Sequence, residues 1–265
     1  MIKSAFIAPH SPILIPNIGK KNRGILQRTV EAFDEIKEKI KEDRIDTVII
    51  ISSGKENKEI EINNHFQQDI NFEKFGDYFS KISFSGDIEL SYKIKEEAEE
   101  TSLKANNKPN YKASVPLYLL LSEENQRIRT FNGKVLIVNS SWQKNIKDHY
   151  EFGKKISNLL EREDKRIALI ASAELSHSLS YRSPGGFYHK SESFDNKIIE
   201  LLKKKDEGLD SFFRLEEKNL NEIKECALRQ LAILIGAISQ KEYSPETLSY
   251  QKDLGIGYLT MDMNI

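Results

Sequence analysis

Four short runs rich in isoleucine and valine, Lys3 to Ala8, Ile45 to Ser52, Lys134 to Asn139 and Arg166 to Ser172, are each compact enough for a strand buried on both faces. Between them the apolar period changes to that of a helix. Leu26, Val30, Phe33, Ile36 and Ile40 recur at three- and four-residue steps among charged residues, which predicts a helix over about Lys21 to Asp43. Similar patterns predict helices over about Ile88 to Leu103, His149 to Glu163, Ser193 to Lys205 and Glu225 to Ser239. Strands alternating with helices give an α/β fold, expected here as a three-layer α/β/α sandwich around a central, mostly parallel or mixed sheet.

Nothing in the composition opposes this. With 38% apolar and 31% charged side chains over 265 residues, the chain can bury a substantial core. Forty basic residues against forty-one acidic ones leave a formal charge of -1. No segment gathers the basic residues into a stripe that would follow phosphates, so nucleic acid is not an expected partner. Cys226 is the only cysteine, which excludes an intrachain disulfide or a multi-thiolate zinc site and makes the cytoplasm the expected compartment. The apolar start, Ala5 to Ile15, is broken by His10 and Pro12 and reads as a core strand rather than a leader. Apolar runs such as Thr47 to Ile51 and Leu231 to Ile238 fall far short of the roughly 20 residues that span a bilayer. The polar stretch Lys55 to Ser80 reads as an elaborated loop within a single domain, 1-265.

In open α/β sheets, ligands collect beyond the carboxyl ends of the strands. The first strand runs into Ala8-Pro9-His10-Ser11-Pro12, where prolines on either side fix the backbone around an imidazole. That histidine is either a site residue or a polar loop residue. The strand Arg166 to Ser172 runs into Ala173-Glu174-Leu175-Ser176-His177, and a carboxylate three residues before an imidazole suits acid or base work near neutral pH. A histidine closing a turn explains the same pattern. Glu225 opens an apolar helical stretch, where the helix dipole favours a carboxylate and Arg229 lies four residues on as a ready partner. His149 and His189 lack a strand-end position and read as surface residues. The turn-rich segment Tyr181 to Tyr188 follows His177 and either lines the pocket or simply connects elements.

Taken together, these segments carry a resemblance. The run Ala8-Pro9-His10-Ser11-Pro12-Ile13-Leu14-Ile15-Pro16 is similar to the opening motif of the class III (LigB-type) extradiol ring-cleavage dioxygenases, especially the branch related to Memo-like proteins. Ile170 to His177 resembles that branch's Ala-Ser-Gly-Asp-Leu-Ser-His motif, Glu225-Cys226-Ala227-Leu228-Arg229 its Glu-Cys-Gly-Leu-Arg helix start, and Gly255 to Leu259 its closing strand. The resemblance implies one LigB-like domain and a non-haem Fe(2+) held by histidines and a carboxylate, with open positions for an aromatic diol and dioxygen. Carried over, His10 and Glu225 are metal ligands and His177 is the catalytic acid or base. Glu174, Gly54 and Tyr111 fall in the pocket. A small aromatic molecule is the implied ligand, a radical-SAM-linked protein an implied partner, and a homo-oligomer a further expectation.

The pattern breaks in two places. Where the family carries its second histidine ligand in Ser-Pro-His-Gly, this chain reads Ser52-Ser53-Gly54-Lys55, and glycine has no donor. Where the family has Asp-His-Gly, this chain has Asn110-Tyr111-Lys112. His65 or Glu56 are the candidates to replace the missing ligand, although Lys55 beside the position repels a cation. Two functions follow: an Fe(2+)-dependent dioxygenase, or a metal-poor relative that binds a small ligand or a protein. A zinc-assisted hydrolysis ranks third, because three protein ligands are wanted there as well.

Overall fold

The structure, a computed structural model, describes residues 1–54, 57–105, 108–122, 131–215 and 217–265. Four parallel strands form its centre: β1 (Ile2–Ala8), β2 (Thr47–Ser53), β7 (Lys134–Ser140) and β8 (Ile167–Ser172), adjacent in the order β7-β2-β8-β1. They are the four apolar runs of the sequence. Both of their faces are covered, so alternate side chains enter different cores: Val48 and Ile50 join one apolar cluster, Ile49 and Ile51 the other. The sheet is extended at one edge by β10 (Tyr258–Asp262) and β9 (Glu246–Gln251), both antiparallel to their neighbours. At the other edge β5 (Asp77–Gly86) runs parallel to β7 and pairs antiparallel with β4 (Gln67–Phe72). Short β3 (Glu61–Asn63) and β6 (Ser102–Lys104) complete a ten-stranded mixed sheet.

One helical layer holds α2 (Gln27–Glu42) and α4 (Tyr111–Leu121), preceded by the single-turn α1 (Pro16–Gly19). The opposite layer holds α3 (Ile88–Glu97), α5 (Ile146–Arg162) and α9 (Leu228–Ala237), with α5 and α9 in close contact. That contact is made at two glycines: a Cβ on Gly153 would meet the Ile233 carbonyl oxygen at 2.3 Å, and one on Gly236 the Tyr150 carbonyl oxygen at 2.2 Å. α6 (Ser191–Lys203), α7 (Asp206–Phe213) and α8 (Glu217–Ile223) flank this layer. The α/β sandwich is therefore the observed architecture. Among the described residues no helix is long and apolar enough to cross a membrane.

Several boundaries move for local reasons. Residues Lys20–Leu26 form a 3-10 helix, so the first long helix starts only at Gln27. The helix from Ile88 stops at Glu97, and the end of its expected span becomes β6. α5 begins one turn early because Asn145 and Asp148 form a capping box. The closing strand starts at Tyr258 rather than Gly255, which sits in a turn at φ +75°. The largest correction is Lys55 to Ser80. Instead of a loop it holds β3, β4 and the start of β5, a hairpin whose outward face leaves Phe79 76% exposed. His149 is a second correction: it is fully buried, not a surface residue, and tied to the Asn145 carbonyl at 2.6 Å.

Candidate functional site

The carboxyl ends of β1 and β8 lie side by side, with Ala8 paired to Ser172. This register sets His10 against Ser172, Nδ1 to Oγ at 3.1 Å. The Ser172 hydroxyl donates to the Lys112 carbonyl, so toward His10 it can only accept. A singly protonated His10 thus carries its hydrogen on Nδ1, and its Nε2 lone pair faces inward. Two further donors meet it there. Glu174 Oε2 and Cys226 Sγ are each 3.5 Å from Nε2. All three donor atoms lie within 4.8 Å of one another. Glu174 comes from the β8 exit and Cys226 from the turn before α9, whose backbone N–H donates to the Glu174 carbonyl at 3.2 Å.

Glu174 is 4% exposed, and its second oxygen, Oε1, is buried without a hydrogen-bond partner among the described residues. Burial alone would raise its carboxyl, yet His10 and His177, with Lys112 behind them, outweigh that and hold it below the usual range. His177 joins through Nε2, 3.1 Å from Glu174 Oε2, while its Nδ1 meets the Leu175 carbonyl at 3.2 Å. Burial opposes charge on this ring, but Cys226 and Glu174 push it up to about 10, so it is an imidazolium at neutral pH. The Cys226 thiol shows the converse. Burial would raise it, and His10 and His177 bring it down to about 6.

The remaining site candidates fall around this group. Glu225 is next in sequence, but its carboxylate accepts from the backbone N–H of Ala227 at 2.5 Å and Leu228 at 2.8 Å, capping α9. Among the described residues it forms no ion pair with Arg229, which instead reaches the Lys144 carbonyl at 3.4 Å and lies 5.9 Å from the Trp142 ring. Tyr111 meets the His10 ring in a T-shaped contact, with ring centroids 6.0 Å apart. At Gly54 there is no room for a side chain, since a Cβ would stand 2.2 Å from Asn57 Nδ2 and 2.7 Å from the Ser140 carbonyl oxygen. His65 does not join the donor group; its Nδ1 sits 3.0 Å from the Gln67 carbonyl. Lys55 and Glu56 lie outside the described residues. His189 is exposed, and the loop from Tyr181 meets His177 through the Gly185 N–H, 2.8 Å from the His177 carbonyl.

A cavity of about 230 Å³ opens beside Cys226, between Gly54, Lys112, Trp142, Glu225 and Arg229. A larger one, about 580 Å³, lies at the opposite, amino ends of the central strands β2 and β7 around Thr47 and Lys134 and is lined by none of these groups. Sequence reasoning did not foresee Cys226 as a donor, because a single cysteine carries no spacing signal. Nor did it foresee Lys112 and Trp142, which only the fold brings to one cavity.

Among the comparisons with known proteins, the family model carries the assignment. The family model described as the catalytic LigB subunit of aromatic ring-opening dioxygenase matches residues 4–260. Protein CA_C1420 of Clostridium acetobutylicum is 26% identical over 97% of this chain, which spans 56% of that protein's length. The crystal structure of the uncharacterized protein JW3007 from Escherichia coli K12 superposes with a TM-score of 0.68 at 14% identity, covering 98% of this chain and 99% of that one. The last likeness concerns the fold alone.

Proposed function

We propose, from the premise that this chain belongs to the LigB family of aromatic ring-opening dioxygenases, that it acts on a small molecule at a metal centre of His10, Glu174 and Cys226, with His177 transferring protons. The observation that carries this reading is the convergence of three donors on one point. Bonds of about 2.1 Å to imidazole and 2.3 Å to thiolate around a tetrahedral ion separate those donors by about 3.5 Å, and His10 Nε2 stands 3.5 Å from both partners. The orphaned Glu174 Oε1 is the kind of buried atom that a cation satisfies. A nitrogen, oxygen and sulfur set suits zinc or a similar borderline cation better than it suits the two-histidine, one-carboxylate ferrous arrangement.

A divalent cation held there supplies Lewis-acid polarisation of a substrate oxygen. The chain's own residues do the rest. His10 is oriented through Ser172, whose hydroxyl is itself fixed by the Lys112 carbonyl. His177 sets Nε2 3.1 Å from Glu174 Oε2, at the edge of the centre, where it can pass a proton to or from a bound molecule. The Tyr111 ring packs edge-on against the His10 ring.

The family match over residues 4–260 favours a second reading, oxidation of an aromatic diol at ferrous iron held by His10 and Glu225. Gly54 weighs against it, because the space for a third ligand there is filled. Anaerobic titration of Zn(2+), Co(2+) and Fe(2+) into the wild type and into His10→Ala, Cys226→Ser, Glu174→Gln and Glu225→Gln separates the readings. We expect one bound ion, a thiolate-to-cobalt absorption band, and losses beyond the about 10- to 100-fold of an outer-shell partner in every variant except Glu225→Gln. Iron lost in Glu225→Gln and kept in Cys226→Ser restores the ferrous reading. No stoichiometric ion at all leaves a metal-free binding module.

A further inference from the structure

Helices α6 and α8 and the residues that close α7 enclose another cavity, of about 340 Å³. Its floor is apolar: Phe194, Leu220 and Ile223 line it, and Ile223 is only 2% exposed. Its remaining wall carries three cations, Lys190 and Lys197 from one stretch of the chain and Arg214 from the end of α7. No carboxylate is among the residues that line it. Among the described residues neither lysine forms an ion pair or a hydrogen bond through its ammonium. Arg214 has only Asp210 at 3.8 Å, and both of those side chains are more than four-fifths exposed, at 81% and 87%, so the pair holds the guanidinium weakly. The acids of α6 are engaged elsewhere, Glu192 with Lys252, Glu200 with Lys204, and Asp195 with Ser176 and Tyr250.

One wall of this cavity also supports the centre. The Ile223 carbonyl accepts from the His177 N–H at 3.0 Å and from the Ser178 hydroxyl at 2.9 Å. There α8 ends, and Lys224 turns the chain at φ +55°, a left-handed conformation that a lysine adopts only under constraint. Cys226 follows two residues later, with its N–H on the Glu174 carbonyl at 3.2 Å. We infer that the cavity binds a small amphiphile with one acid group, an acyl carboxylate whose chain lies on Phe194, Leu220 and Ile223 and whose head meets Lys190, Lys197 and Arg214, and that the bound molecule holds the segment from Ile223 to Cys226 in place. The guanidinium fork suits a planar carboxylate. The volume of about 340 Å³ equals roughly eleven waters of liquid, which limits the ligand to on the order of ten non-hydrogen atoms. The site stands apart from the metal reading, and its effect on the centre rests on Cys226 belonging to that centre.

Cys226 is the only cysteine, so its alkylation by iodoacetamide reports on this segment directly. Metal-free full-length protein is titrated by calorimetry with octanoate and with 1-octanol, which has the chain without the charge. Saturable binding of octanoate is expected, weakened at least about tenfold in Lys197→Met and in Arg214→Met at an unchanged melting temperature, and partly recovered in Arg214→Lys. Saturating octanoate should slow Cys226 alkylation at least about fivefold, the low end of coupling between two sites, and should do so in neither Met variant at the same concentration. Equal affinity for 1-octanol, or octanoate affinity unchanged in both Met variants, overturns the site. Alkylation unmoved by bound octanoate overturns its hold on Cys226. Tighter, equally variant-sensitive binding of octyl phosphate overturns the carboxylate assignment. Failure of the same protein to take up metal removes the metal centre alone, because both of these readouts are made without metal.

Discussion

The carboxamide of Asn57 fills the space into which a side chain at Gly54 would grow, with Nδ2 2.2 Å from the place of a Cβ. The Ser140 carbonyl oxygen closes the same space from the neighbouring strand at 2.7 Å. One of these neighbours is a rotatable side chain and the other is backbone in β7, which cannot retreat without breaking its pairing with β2. The position is thus sealed rather than vacant. Gly54→His is expected to lose about 1 to 3 kcal/mol of stability, as overpacking does, and to gain no ferrous affinity. Urea denaturation and anaerobic iron titration check both parts, and stoichiometric tight iron in that variant would show that the strand end can reopen.

The thiol and imidazole at the centre support each other over a limited pH range. Cys226 is lowered to about 6, so its contribution to stability is complete above the unfolded thiol's value of about 8.5 and is lost as pH falls through about 6. His177 is raised to about 10, so its contribution is complete below the unfolded imidazole's value of about 6.5 and is lost as pH rises through about 10. Metal-free protein should be most stable between these limits. Thiolate absorbance should titrate near 6 in the wild type and clearly higher in His10→Ala, because His10 is the leading influence that offsets burial. An unmoved midpoint in that variant contradicts the assignment.

The centre of this fold was legible because its information is local. A strand buried on both faces must be apolar throughout, and β1, β2, β7 and β8 all are. The edge hairpin was not legible, since β4 and β5 expose one face and carry Gln67, Asp69, Lys81 and Ser83 among their apolar residues. The site divides in the same way. His10, Glu174 and His177 follow strands and were visible as such. Cys226 lies 216 residues from His10, and only the packing of the turn before α9 onto the β8 exit brings them together. His149 was misread because its partners are backbone groups that no side-chain pattern reveals.

His149 braces the wall that carries Trp142. Its Nε2 accepts from the Ser141 N–H at 3.0 Å and its Nδ1 donates to the Asn145 carbonyl, which fixes the neutral tautomer. Burial lowers this imidazole to about 4. With a folded value below the unfolded one, its contribution is present above about 6.5 and is lost as pH falls toward 4. His149→Ala leaves the Ser141 N–H buried and unpaired, which costs about 1 to 3 kcal/mol. Denaturant midpoints measured across acidic pH should show the variant less stable near neutrality and less sensitive to acid.

Asp195 anchors Ser176, the residue before His177, from outside the centre. It is fully buried, and it accepts from the Ser176 N–H and hydroxyl at 2.9 Å each and from the Tyr250 hydroxyl at 2.8 Å. Burial pushes its carboxyl up to about 6, although these three donors oppose the shift. Below the unfolded value of about 3.9 the group adds stability, and that is lost as pH rises through about 6, where the buried charge appears. Asp195→Ala strands the donors of Ser176, the residue just before His177, and should cost about 2 to 4 kcal/mol. Asp195→Asn keeps one acceptor and never ionises, so its deficit should shrink as pH rises through about 6. Both variants remove a charge that also acts on His177, so a positioning role gives a lower His177 midpoint in Asp195→Ala than in Asp195→Asn, by loosening the contact with Glu174, whereas a purely structural or electrostatic role gives equal midpoints. Histidine resonances followed by NMR across alkaline pH distinguish the two.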